Sequence, residues 1–216
     1  DVKNLIGLKN LKNKIDLKSY PSIESQIASI SDDIAYNNHD IQDGFNANIF
    51  KINELKEINF FNEILKRYSS KFKNTDSRIL IYQMVRDSIN LMVKDLIKNS
   101  LKNFKFNKIY KLNDVYKSEN KLVCFSSNYE NTINEIRDFL STKMYKNNKV
   151  LKKNNEGKKI IAKLFKTISR KPRKFLTFST IKHNKYRSIA DYISGMTDRF
   201  AINIYKSLKW IYLKNI

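Results

Sequence analysis

The residues 28–44, ASISDDIAYNNHDIQDG, hold the densest group of chemically capable side chains in the sequence. Asp32, Tyr36 and Asp40 recur at every fourth position, with Asp33, His39 and Asp43 beside them. On an α-helix turning about 100° per residue, Tyr36, Asp40 and Asp43 fall within roughly 20–80° of Asp32. Ile23, Ile27, Ile30 and Ile34 gather near roughly 160–220°, almost opposite. A carboxylate on such a face can ligate a divalent cation, and a tyrosine one turn on can address the same ligand. Asp32 and His39 lie about 10 Å apart along the axis, too far to share one ion at about 2 Å. His39 is therefore expected to cap the helix or to support a ligand, and His183 to sit on the surface. The plain alternative is a solvated acidic face that pairs with the surrounding lysines.

The elements that must position these groups read as helices throughout. Pro21 suits a first turn and Gly44 a stop, so the helix carrying these groups is expected over residues 21–44. Further helices are expected near 60–68, from an Asp76 or Ser77 cap through Leu101, at 127–146, at 150–168, and from Tyr186 to the C-terminus. A short turn is expected at Ile52–Leu55. The segment 105–125 has mixed spacing, and its LVCF is either extended or a buried loop. Residues 1–20 read as a lead-in segment, and Arg170–Lys174 as a basic break around Pro172. With no internal repeat and no domain-scale linker, 1–216 reads as a single all-α unit.

Composition agrees. Four Gly and two Pro in 216 residues disfavour a turn-rich β fold. One cysteine excludes an intramolecular disulfide framework and a Cys-based zinc knuckle. The net charge is +21, from 42 Lys and Arg against 21 Asp and Glu. Lys, Asn and Ile number 34, 27 and 28, the bias of an AT-rich coding sequence, so part of that charge is compositional drift. Drift does not explain an acidic stripe on a single helix. No stretch of 18 apolar residues and no signal-peptide pattern is present, so a cytoplasmic protein with no membrane partner is expected.

Four stretches together carry a resemblance: PSIESQIASISDDIAYNNHDIQDG at 21–44, LVCFS at 122–126, FLSTKMYKNNKV at 139–150 and ADYISGMTDRFA at 190–201. From about Asp16 onward the chain resembles bacterial deoxyguanosinetriphosphate triphosphohydrolase-like proteins of the HD-domain superfamily. The resemblance implies a metal-dependent hydrolase on an all-α, HD-domain-like bundle, cleaving a deoxynucleoside triphosphate to the deoxynucleoside and inorganic triphosphate. The family's metal site joins a His, a His-Asp doublet and a distant Asp that opens an Asp-x-x-x-Tyr-x-x-x-Asp pattern. Asp32, Tyr36 and Asp40 meet that pattern. By resemblance Asp32 ligates a divalent cation such as Mg²⁺ or Mn²⁺, and Tyr36 and Asp40 face the nucleotide. Arg137 and Tyr145 match an Arg and Tyr eight residues apart that line the same pocket. The catalytic residue is not assigned. The upstream His and His-Asp have no counterpart, so the chain reads as a C-terminal portion without its N-terminal helices, inactive alone. A homo-oligomer is implied.

The rival function is a basic helical module that binds nucleic acid without catalysis, nonspecifically through net positive charge. It leaves the Asp32/Tyr36/Asp40 stripe unexplained. A non-catalytic relic serving in oligomer assembly is the third possibility. In the ADYISGMTDRFA stretch, Tyr192, Asp198 and Arg199 are expected to serve packing and an internal ion pair, and Gly195 a close helix approach or a kink.

Overall fold

A computed structural model of the chain describes residues 19–69, 76–177 and 184–213, with side chains as far as Leu208. Nine α-helices, one π-helical turn and one 3-10 turn make up their regular structure, and no strand occurs among the described residues. The fold is all-α. Residues 1–18, most of the expected lead-in, lie outside the described residues, as does His183. The backbone divides into two compact units, 1–145 and 146–216, where the sequence reads as one.

In the 1–145 unit, α1 spans Ile23–Asn46, and the Ser22 hydroxyl caps it by accepting from the Ser25 N–H at 3.4 Å. Ile30, Ile34 and Ile41 are buried, while Ile27, expected on the same side, is 46% exposed. The helix does not stop at Gly44. It ends where Asn48 turns left-handed at φ 53°, which lets the Ile49 N–H donate to the Gly44 carbonyl at 2.9 Å. Gly44 answers a different need. A Cβ there would meet the Phe50 ring at 2.4 Å, so the ring packs on bare backbone.

Short α2 (Ile52–Leu55) and α3 (Asn59–Ser69) lead to α4 (Ser77–Phe106), whose first turn is capped by Asp76 accepting from the Arg78 N–H at 2.9 Å. The end of α4 repeats that of α1: Lys108 is left-handed at φ 51°, and the Ile109 N–H donates to the Phe104 carbonyl at 3.0 Å. α1 packs along α4, which also receives α3. Ile30, Ile34, Met84, Met92, Phe61 and Leu140 join one core. Ile97 and Leu101 are each 55% exposed, and with Ile27 and Val93 they line an open apolar groove of about 390 Å³ between α1 and α4.

The mixed segment resolves into α5 (Leu112–Lys117), which the spacing does not predict, and an irregular stretch through 118–126. Backbone buried without a helix needs side-chain partners. Gln26, buried on α1, accepts from the Leu122 and Val123 N–H groups, each at 3.1 Å, and donates to the Pro21 carbonyl at 2.8 Å. From α4, Asn103 donates to the Leu122 carbonyl at 3.1 Å, and Asn99 to the Cys124 and Phe125 carbonyls at 3.0 Å each. Asp95 accepts from the Ser126 N–H at 2.9 Å and hydroxyl at 2.7 Å. The spacing 95, 99, 103 is one row of α4, so a single helix ridge reads out LVCFS in order. α6 (Ser127–Leu140) begins directly after it, packs on α1, and runs into a π-helical turn, Ser141–Tyr145.

In the 146–216 unit, α7 (Asn148–Arg170) packs against α8 (Lys185–Ser194) and α9 (Asp198–Leu213), with a 3-10 turn at Pro172–Lys174. Leu164, Ile168, Ile189 and Leu208 form its core. The expected single last helix is broken at Gly195, which closes α8 with its N–H on the Asp191 carbonyl. A Cβ at Gly195 would meet only ordinary contacts, nearest at 3.5 Å, so no close helix approach requires it. Tyr192 packs against this core as expected. Asp198 and Arg199 are exposed and form no ion pair among the described residues; the pair is Arg187–Asp191 at 2.8 Å.

Two substitutions separate these glycine environments. Gly44→Ala forces the Phe50 ring aside and is expected to cost about 1–3 kcal/mol. Gly157→Ala lies in α7 with nothing within 4 Å of the new Cβ and should gain up to about 1 kcal/mol. Urea unfolding of each variant measures both. Gln26→Leu strands two buried N–H groups at a cost of about 2 kcal/mol or more. Loss of hydrogen-exchange protection at Leu122 and Val123 is its signature, and retained protection refutes the clamp.

Candidate functional site

The acidic stripe of α1 is positioned by its isoleucine face. Because Ile30, Ile34 and Ile41 are buried, Asp32, Asp33 and Tyr36 must face outward, and all three are exposed. Two residues from α6 and its π turn reach this face. Tyr145 donates its hydroxyl hydrogen bond to the Asp40 carboxylate across 105 residues. Arg137 Nη2 lies 3.1 Å from Asp33 Oδ2, an exposed ion pair.

The structure thus gathers Tyr36, Asp40 and Tyr145, and places Arg137 beside them on α1 through Asp33 rather than Asp32. Asp32 is exposed and has no hydrogen-bond or ion-pair partner among the described residues. His39 is exposed in the body of α1, so it caps nothing. The apolar groove between α1 and α4 is lined by Ser31, Ile34 and Ala35 of α1, not by Asp32, Tyr36 or Asp40.

Spacing alone does not indicate Asp33, or a second tether on the π turn. Lys143 Nζ sits 2.8 Å from Glu54 Oε1, while Glu54 Oε2 accepts from the Lys51 N–H at 2.8 Å. The Lys143 ammonium, then the Lys51 N–H, holds the Glu54 carboxyl below its usual range. The π turn is therefore tied on one side to α2 and on the other to α1, with Met144 packed against the core between them. No local signal marks a pair 89 residues apart.

A divalent cation needs more than this surface provides. Among the described residues no group of three or more His, Cys, Asp or Glu could hold a metal ion. Asp32 offers one carboxylate, and a single carboxylate does not hold a catalytic ion against water. The described residues do not by themselves fit a metal centre.

Tyr145 is the most perturbed group here. Burial first, then the bond to Asp40 and the neighbouring Tyr36, pushes its phenol well above the ordinary value near 10. Its proton is thus retained in the folded state. The stabilisation is fully present below about pH 10 and is lost as pH rises through the folded-state value. Tyr68 and Tyr129 are also raised. In an alkaline absorbance titration, Tyr145→Phe should remove one phenol from the late-ionising phase; an unchanged late phase refutes this contact.

Residues 123–207 match the phosphohydrolase-associated domain family. A deoxyguanosinetriphosphate triphosphohydrolase-like protein of Pelagibacter ubique (strain HTCC1062) is 56% identical over 207 residues, covering 96% of this chain and 56% of the relative. The protein of the same description from Rickettsia typhi is 37% identical over 205 residues, covering 92% of this chain and 53% of the relative. That from Rickettsia felis is 35% identical over 222 residues, covering 100% and 58%. The chain spans about half the length of the curated relatives it matches. It belongs to the deoxyguanosinetriphosphate triphosphohydrolase-like family.

Proposed function

We propose that the chain forms part of a metal-dependent deoxynucleoside triphosphate triphosphohydrolase that releases the deoxynucleoside and inorganic triphosphate. The observation that supports this best is the Tyr145–Asp40 hydrogen bond, which brings the acidic stripe and the FLSTKMY stretch onto one surface. The relatives' name supplies the reaction class.

In this reading Tyr36 and Asp40 face the nucleotide. Asp40 accepts from a sugar hydroxyl, and Tyr145, which keeps its proton, is a neutral donor beside it. Arg137 exchanges the Asp33 carboxylate for a phosphate oxygen, a charge-assisted contact of the same geometry. Asp33 thereby holds the guanidinium over α1 until substrate arrives. Asp32 gives one carboxylate to a divalent cation whose other ligands lie outside the described residues. An acidic face suits a nucleotide only in such company, which is why the stripe favours this reading over a bare polyanion-binding face.

Two measurements test it. The purified 216-residue chain, with Mg²⁺ or Mn²⁺, should release no triphosphate from dGTP; normal turnover would show that the described surface is complete without further ligands. In a full-length protein carrying this chain, Asp32→Ala should lower turnover by more than the roughly 10–100-fold that loss of a supporting residue costs a metal site. Unchanged turnover with an unchanged helical spectrum overturns the assignment.

A further inference from the structure

We infer that the 146–216 unit is a docking surface for nucleic-acid backbone, presented along one face of α7. Charge is not spread evenly along this chain. Residues 146–216 hold 19 Lys and Arg against three Asp and Glu, a net charge of +16, whereas residues 1–145 hold 23 against 18, a net charge of +5. A mutational bias toward lysine acts on the whole coding sequence and does not concentrate three-quarters of the surplus in one-third of its length.

Within the unit the charge has geometry. Lys152, Lys159, Lys166 and Arg170 fall within an arc of about 40° on α7 and span about 27 Å along it. All four are exposed and form no ion pair among the described residues. Lys163 lies in the same sector, and Glu156 is the only acid on the helix. Lys171 and Lys174, also exposed, extend the basic run beyond the helix end. Leu164, Thr167 and Ile168 are buried, which fixes the roll of the helix and keeps the cations outward.

A duplex carries one negative charge per about 1.7 Å of its axis, so a stripe of this length passes enough phosphates to neutralise every cation on it. A membrane surface fits less well. An interfacial helix inserts its apolar face, and here Leu164 and Ile168 are in the core of the unit. The chemistry is phosphodiester recognition by charge, without base readout. It does not depend on the hydrolase reading, because none of these residues belongs to the surface on α1.

The test is fluorescence anisotropy of the purified chain on labelled duplex and single-stranded oligonucleotides across a salt series. The variant Lys152→Gln, Lys159→Gln, Lys166→Gln, Arg170→Gln should make the log–log salt slope on duplex shallower by about three to four, at roughly 0.9 for each phosphate that is no longer neutralised. A control carrying Lys94→Gln, Lys98→Gln, Lys102→Gln and Lys105→Gln removes the same charge from exposed positions on α4 and should shift the slope by less than about one. Glutamine is a good helix former, and unchanged circular dichroism confirms that both variants fold. Equal shifts for the two variants overturn the inference, as does absence of binding to either oligonucleotide. Stripe-dependent binding to phosphatidylserine vesicles without binding to duplex also overturns it.

Discussion

Much of the 1–145 unit depends on one requirement: the backbone of residues 122–126 is partly buried, is not helical, and must still have its hydrogen bonds. Four side chains from two helices meet it. Gln26 ties α1 to the stretch, while Asp95, Asn99 and Asn103 tie α4 to it. Because α6 begins at the next residue, its start is fixed by the same bonds, and with it the approach of Arg137 and Tyr145 to α1. The polar clamp and the α1 surface that Tyr145 reaches are consecutive parts of one structural chain. Weakening the first blurs the second without touching it.

Helical faces were legible because burial and periodicity are the same fact seen twice. Ile30 and Ile34 in α1 are buried where spacing puts them, although Ile27 of the same set is not. The long-range polar partners were not legible. Gln26 looks like any helix-surface glutamine until Leu122 and Val123, some 97 residues away, donate to it. Glycine was read only in part. Gly44 suggested a stop but serves a ring, while Gly195 suggested helix contact or a kink and breaks the helix. In the first case Asn48 adopted the left-handed turn instead, which its short polar side chain tolerates.

The candidate site was partly legible. A four-residue recurrence of Asp, Tyr and Asp on the side opposite a buried face is a local signal, and it pointed to the surface that Tyr145 reaches. That Arg137 rests on Asp33 follows from how α6 crosses α1, which no spacing within either helix contains. The charge map adds an order that a single net value conceals. Acids are placed on the α1 surface, and the cation surplus lies mostly in the 146–216 unit.

The turn at Ser141–Tyr145 has a consequence for how this family can vary. A π turn takes up one residue more than an α-helical turn needs while leaving the flanking helix in nearly the same phase. Losing a single codon anywhere between Ser141 and Met144 would let an ordinary helical turn replace it and leave the Tyr145 phenol on nearly the same side of the axis, toward Asp40. This stretch can therefore give up one residue while the phenol stays near its carboxylate, a tolerance of length that an unbroken α-helix lacks.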